Sequence, residues 1–529
     1  MNSIKVLDVT LRDGGCVNNF NFGHNYMDKI LKAQEQSRLD IIEVGYLDEN
    51  KGTEIDRTQW ISVQAISRAL LKKKNNNIKY VAMIDLGKFD VRNLPTRTST
   101  TIDGIRLAFH KKDVSKIVEV CKIILEKGYE LFIQPMITLR YSDKELLDLV
   151  TLVNEKLSCA TAFYIVDSFG EMRADDIRRV VSLIDHNLKQ QMPIGFHSHN
   201  NLQLSYSNAC AILNFATNRE IILDSSILGM GKGAGNLNTE LLLEHLNIFF
   251  QKRYSISPLL EVIDEVLNQI RSEFYWGYSP EFYLSAVHHC TPSYATHFYS
   301  KHMLPISQVG ELLGQIAEDK KISFDKEYAE KLWRTFKATN QCDDSAVLSE
   351  LKQKIQNKTV ILVAPGKSLS EYNSLIKEII ANKSTISISL NIIDNFDTTY
   401  FLITRKELYN LSLNSGKKII TTSRIANESS NNVKTLNYEK WIEVHNGLTY
   451  DSSSIIAFNL IKECGANEIC LAGFDGFSSD INENYYSQDL RHPVTSQQAK
   501  ERNKFYKEYI NVLKKSGIKV TFLTPSKYA

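Results

Sequence analysis

Short apolar, β-branched runs recur through the first 230 residues at 5–10, 41–46, 79–85, 104–109, 130–137, 161–168, 193–199 and 219–229. Amphipathic segments fill the intervals at 27–38, 60–72, 113–127, 143–157, 174–188 and 202–216. Continuous apolar runs of this length suit strands buried on both faces, as in a parallel sheet. Eight such strands alternating with helices predict a closed (β/α)8 barrel, a TIM barrel, over residues 1–250. The texture then turns helical and aromatic, with Phe274, Tyr275, Trp276, Tyr278, Phe282 and Tyr283 close together. Residues 251–340 are predicted to form a helical appendage over the barrel mouth, and 341–357 a linker. A second α/β rhythm begins at Thr359-Val360-Ile361-Leu362-Val363 and predicts a smaller, Rossmann-like open sheet over 358–529. The whole chain is therefore of the α/β class.

Composition narrows the partners. The chain has 529 residues, 43% hydrophobic and 23% charged, with a formal net charge of +2. That balance gives no electrostatic reason to bind nucleic acid or an anionic membrane. The lysine runs Lys72-Lys73-Lys74 and Lys417-Lys418 are short and read as solvated ends or turns. No run of about 18 apolar residues predicts a membrane span. The start Met1-Asn2-Ser3-Ile4-Lys5 leads directly into a strand pattern without a secretory signature. Eight scattered cysteines without a CxxC pair fit reduced thiols, and the expected location is cytoplasmic.

Chemistry in a barrel of this kind sits at the C-terminal strand ends, whose loops line the open mouth. Polar residues fall there with regularity: Arg12-Asp13-Gly14 after strand one, Glu43 on strand two, Gln134 on strand five, Asp167-Ser168 after strand six. Strand seven ends His197-Ser198-His199, and strand eight leads to Gly229-Met230-Gly231-Lys232-Gly233-Ala234-Gly235-Asn236. His-x-His on a strand directs both imidazoles to one face, because side chains alternate with period two. Two imidazoles with the Asp13 carboxylate make a facial set that leaves positions open for substrate oxygens. A divalent cation there polarises a carbonyl and stabilises an enolate. Asn236 offers a further ligand oxygen. Arg12 suits a 2-oxo acid, pairing with its carboxylate or enolate oxygen, and also suits an ion pair with Glu43.

These motifs, with Gly195-Phe196-His197-Ser198-His199-Asn200-Asn201-Leu202, together resemble the DRE-TIM metallolyase superfamily. Within it the likeness is closest to 4-hydroxy-2-oxovalerate aldolases, with isopropylmalate synthase and hydroxymethylglutaryl-CoA lyase as more distant cousins. The resemblance implies Mn2+ or Mg2+ on Asp13, His197 and His199, with Asn236 a further ligand. It also implies that Arg12 stabilises a pyruvate enolate during aldol addition or cleavage. Two departures stand out. The aldolases carry an acid/base His where this chain has Cys16, leaving His24 as a possible substitute. The CoA lyases use a Cys where this chain has Met230. The resemblance further places Tyr278 where the aldolases have a substrate-contacting Tyr; packing is the simpler role for it.

In the second domain, Val363-Ala364-Pro365-Gly366-Lys367-Ser368-Leu369 follows a strand and opens a helix, a place suited to an anion. Gly366 and Ser368 are the expected contacts. With Tyr450-Asp451-Ser452 and Leu471-Ala472-Gly473-Phe474-Asp475, the region loosely resembles bacterial sialyltransferases and pterin-diphosphokinase-like proteins, which implies a nucleotide or nucleotide-sugar cleft. His445 and His492 are its two histidines. The leading expectation is a metal-dependent aldolase joining or splitting a 2-oxo acid and an aldehyde or sugar carbonyl, in modified-sugar or surface-polysaccharide synthesis. The alternatives are Claisen condensation with an acyl-CoA and a non-catalytic scaffold. A dehydrogenase partner or a homo-oligomer is expected by the same resemblance.

Overall fold

The computed structural model describes residues 3–71, 75–252, 254–301, 304, 306–339, 342–381, 385–392, 396–426, 429–441, 443–445, 448–450, 452–487 and 494–529. Among the described residues, eight parallel strands close a barrel: β1 (Ile4–Asp8), β2 (Ile41–Leu47), β3 (Lys79–Asp85), β4 (Gly104–Phe109), β5 (Glu130–Pro135), β6 (Ala162–Asp167), β7 (Ile194–Ser198) and β8 (Ile221–Ser225). Closure comes from β1, which pairs with β8 through Leu7↔Asp224 and with β2 through Asp8↔Ile42. A two-residue strand, Gln59–Trp60, extends the sheet beside β2. The last apolar run, expected to reach 229, leaves the sheet at Ser225, and the glycine-rich segment beyond it is a loop over the mouth.

Strand alternation divides the barrel residues into two sets. Leu7, Val9, Ile41, Val81, Phe132, Ala162, Tyr164, Val166 and Ile222, all on strands except Val9 just beyond β1, pack together as a cluster and so fill the lumen. The opposite set, including Val6, Ile42, Val44, Ile105 and Leu107, packs against helix residues such as Met27, Ile30, Ile66, Leu149 and Ile184. The helices begin where the sequence provides caps. Ser142 and Glu145, for example, form a reciprocal capping box at the helix Asp143–Lys156. Nearer the mouth the lumen turns polar, with Glu43, Arg106, Gln134, His197 and Asp224 all buried.

Short helices follow the barrel, among them Ser257–Val262, Asn268–Glu273, Pro280–Val287, Pro292–Thr296 and Ile306–Gly314. Their anchors meet loops at the C-terminal ends of the strands. Trp276 Nε1 donates to Leu228 O at 3.0 Å, and His289 Nδ1 lies 2.6 Å from Glu171 Oε2. This compact unit reaches Lys326, and a second one runs from Glu327 to Ala529. The segment expected as a linker includes the helix Ser345–Ile355, and its Val347, Leu351 and Ile355 are buried in the second core.

The second unit carries a parallel sheet in the order β13-β12-β11-β10-β9-β14-β15. Its strands are β9 (Thr359–Val363), β10 (Ile386–Leu390), β11 (Tyr400–Leu402), β12 (Lys418–Thr422), β13 (Val433–Leu436), β14 (Glu468–Ala472) and β15 (Lys519–Phe522). A hairpin of Glu443–His445 with Leu448–Tyr450 stands apart from it. No described helix is long and apolar enough to cross a membrane. All eight cysteines are free thiols.

Candidate metal centre in the barrel mouth

Gly195, His197 and His199 share the inward face at the end of β7, as period-two alternation requires. Glycine is needed at the first of them, because a Cβ on Gly195 would stand 2.3 Å from the Tyr164 ring. Asp13 arrives from across the mouth, in a turn held by its amide donating to Val9 O at 2.8 Å. The ligand atoms of Asp13, His197 and His199 lie within 4.8 Å of one another, and all three residues are buried. The two imidazole planes are nearly perpendicular, at 89° with centroids 5.3 Å apart, so their lone pairs can converge without ring stacking.

A chain of alternating charge supports both ends of this set. His197 Nδ1 donates to Asp224 Oδ2 at 2.9 Å, and Arg106 Nη2 donates to the same oxygen. Arg106 Nη1 reaches Glu43 Oε2 at 2.7 Å, and Arg12 Nε reaches that oxygen at 2.6 Å. Arg12 Nη1 then donates to Asp13 Oδ1 at 2.8 Å. Gln134, its amide oxygen turned toward the guanidinium, accepts from Arg106 Nη2 and Nε at 3.1 and 3.2 Å. Each buried charge is thus paired, as burial in a low-dielectric lumen demands.

Electrostatics leave Asp13 and His199 in ligating form. Burial lowers the His199 imidazole to about 4, so the ring is neutral near neutral pH and keeps a lone pair. Burial works to raise the Asp13 carboxyl, but His199, Arg12, His197 and the Asn236 amide hold it well below the usual carboxylate range. Burial likewise opposes the Arg12 charge, and Glu43 and Asp13 outweigh it. Asn236 Nδ2 donates to Asp13 Oδ2 at 2.8 Å, while its Oδ1 is buried without a partner. An orphaned carbonyl oxygen beside a carboxylate and two imidazoles is what a divalent cation with mixed N and O ligands would satisfy. The donor set therefore fits a divalent cation. Arg12 Nη2 is also buried and without a partner.

The remaining expected residues are placed unevenly. Cys16 lies in the mouth, open to solvent but crowded by protein, and this desolvation together with Asp13 pushes its thiol up to about 12. His24 is exposed at the first position of the helix His24–Gln36. Asp167 is committed to its own loop, accepting from the amides of Glu171 and Met172 at 2.9 and 3.1 Å, and Ser168 Oγ accepts from Ile137 N at 3.1 Å. Tyr278 is exposed, and its carbonyl accepts from Tyr275 Oη.

In the second unit, Ser368 N donates to Asp475 Oδ2 at 2.7 Å, and Ser368 Oγ donates to Asp475 Oδ1. A Cβ on Gly366 would lie 2.7 Å from the Asp475 carboxyl. The position expected to take an anion is thus filled by the protein's own carboxylate. Lys367 pairs with Glu483. His445 lies on the hairpin strand Glu443–His445; His492, Asp451 and Lys72-Lys73-Lys74 lie outside the described residues.

Arg106, Asp224 and Asp85 are not among the residues expected from the sequence. Arg106 and Asp224 had a signal, a charged residue inside an otherwise apolar barrel strand. Asp85 had one too, a carboxylate at the C-terminal end of a barrel strand, as Asp167 is.

Residues 3–262 match the HMGL-like family model. The chain is similar to the 4-hydroxy-2-oxovalerate aldolase of Geobacillus genomosp. 3, 29% identical over 46% of this chain and 71% of that protein. It is also similar to the enzyme of that name from Thermomicrobium roseum, 28% identical over 49% of this chain and 69% of that protein. Among solved structures, the carboxyl transferase domain of Rhizobium etli pyruvate carboxylase with oxamate and biotin aligns with a TM-score of 0.50 at 12% identity. That alignment covers 66% of this chain and 65% of the other, and it bears on the fold alone.

Proposed function

With an HMGL-like (DRE-TIM) domain as the N-terminal half of the chain, we propose that the barrel cleaves and forms the carbon–carbon bond between a 2-oxo acid and an aldehyde. The observation that carries this reading is the pairing of the Asp13, His197, His199 set with Arg12, whose Nη2 is buried and unpartnered beside it. Asp13, His197 and His199, with Asn236 Oδ1, would hold Mn2+ or Mg2+, which when bound supplies a Lewis acid for the 2-oxo group. Arg12 is held rigid by Glu43 and Asp13, so its free nitrogen meets the substrate carboxylate or enolate oxygen at little reorganisation cost. Such a donor favours the charge that develops as the bond to the aldehyde carbon breaks. The substrate class is accordingly 4-hydroxy-2-oxo acids, with pyruvate as the simplest 2-oxo acid product.

The test is direct. Protein loaded with Mn2+ is expected to release a 2-oxo acid from 4-hydroxy-2-oxo acids, followed through lactate dehydrogenase, and to exchange the methyl protons of pyruvate for deuterium. Absence of both reactions would overturn the proposal. Release of free CoA from an acyl-CoA in the presence of a 2-oxo acid, followed with a thiol reagent, would replace it with Claisen chemistry.

A further inference from the structure

The barrel mouth holds a carboxylate that the charge chain does not use. Val81 faces the lumen, so alternation along β3 carries Met83 and Asp85 to the same inward face. The register pairs Met83 with Arg106 and Asp85 with Ala108. Asp85 therefore stands one inward position nearer the mouth than Arg106. Its side chain accepts no hydrogen bond among the described residues and is half-buried. Arg12, Lys88, Asp48 and Lys232 act on it, and it acts in turn on the Cys16 thiol and the Tyr46 phenol. Asp85 ends β3 on the inward face, so its side chain stands at the rim of the mouth into which the loop carrying Arg12 and Asp13 also folds.

Its neighbours are poor proton carriers. Cys16 is held up at about 12, and the Tyr46 phenol is raised well above its usual value, chiefly by desolvation. Glu43 is clamped between two guanidiniums. His24 is exposed at a helix start. Desolvation raises the Asp85 carboxyl to about 6 against the pull of Arg12, so it is ionised at neutral pH yet still basic enough to accept a proton.

We propose that Asp85 is the catalytic acid/base of the barrel, taking the role that neither Cys16 nor His24 is placed to fill. The proposal rests on the aldolase reading above. In the cleavage direction the Asp85 carboxylate takes the proton of the C4 hydroxyl. The C4–O bond becomes a carbonyl as the C3–C4 bond breaks, and that electron pair passes into the C2–C3 enolate with its oxygen facing Arg12. The aldehyde leaves, and C3 is reprotonated from the Asp85 carboxyl to give the 2-oxo acid. Addition is the reverse.

The experiment compares two reactions in Mn2+-loaded wild type, Asp85→Asn and Asp85→Glu. One is cleavage of a 4-hydroxy-2-oxo acid, and the other is decarboxylation of oxaloacetate, which forms the same enolate with no hydroxyl proton to remove. Asp85→Asn should lose about 100-fold or more in kcat for cleavage with little change in KM. Its decarboxylation should fall far less. Asp85→Glu should recover part of the cleavage rate. The acid limb of kcat/KM near pH 6, present in wild type because the base must be ionised, should vanish in the residual activity of Asp85→Asn. Equal loss of both reactions in Asp85→Asn, or cleavage at the wild-type rate with the limb intact, would overturn the assignment. A wild type inactive in both reactions would remove the aldolase reading, and the assignment with it.

Discussion

His197 Nδ1 donates to Asp224 Oδ2 at 2.9 Å, and both side chains are buried. In the neutral ring this bond places the remaining lone pair on Nε2, the nitrogen free to meet a cation. A carboxylate behind a ligating imidazole fixes its tautomer, orients the ring and raises its basicity. The same Asp224 oxygen accepts from Arg106, which in turn pairs with Glu43, so His197 is coupled through side chains to Arg12 and Asp13 on the other side of the mouth.

Asp224→Asn should therefore weaken Mn2+ binding by about 10- to 100-fold, the range for loss of such an outer partner. Calorimetric or EPR titration with Mn2+ measures it. Binding unchanged in the variant would show that Asp224 has no part in orienting His197.

Gly231→Ala should act on the same site from the loop. A Cβ there would stand 2.3 Å from Asn236 Nδ2 and 2.6 Å from Asp13 Oδ2, both nearly immobile because they are buried and bonded to each other. The clash should displace Asp13 or Asn236, cost about 1–3 kcal/mol in the unloaded protein, and lower cation affinity at least about tenfold. Thermal melts with and without Mn2+ separate the two effects.

Asp8 lies away from the metal set and is fully buried, bonded to Thr10 N, Thr239 Oγ1 and Gln34 Nε2. Burial outweighs those bonds and raises its carboxyl from 3.8 to about 6. A folded-state value above the unfolded one favours the protonated form. Its relative contribution is complete below about pH 4 and is lost as pH rises through about 6, a span worth about 3 kcal/mol. Asp8→Asn cannot ionise. Its melting temperature should gain on that of wild type between pH 4 and pH 7, in metal-free buffer; a constant difference would contradict the shift.

Cys16 is exposed, yet its thiol is held at about 12, leaving far less than about one molecule in a thousand as thiolate at pH 7.5. Iodoacetamide should alkylate it at least about ten times more slowly than the cysteine of a short unstructured peptide. Peptide mass spectrometry gives the rate. Fast labelling would reopen a proton-transfer role for Cys16.

The barrel and the shared face of His197 and His199 were legible because each rests on a local repeat. Strand alternation alone puts His197 and His199 on one face, and the spacing of apolar runs alone counts the strands. Arg106 was less legible, because Gly104-Ile105-Arg106-Leu107-Ala108-Phe109 says that a charge is buried without saying what neutralises it. Its partners Glu43 and Asp224 are 63 and 118 residues away. The Gly366–Ser368 loop misled for a similar reason: the carboxylate that fills it, Asp475, lies 107 residues on from Ser368.

The sequence by itself determined which strand residues share a face, where the mouth lies, and that His197 and His199 point the same way. Those follow from periodicities of a few residues, which the backbone imposes wherever the strands end up. Only the tertiary structure decided how the buried charges pair, which atoms of Arg12 and Asn236 are left without partners, and that the Asp85 carboxylate accepts no hydrogen bond among the described residues. Pairing in a closed barrel joins residues far apart in the chain. Electrostatic energy in a desolvated lumen depends on distances that no local pattern encodes.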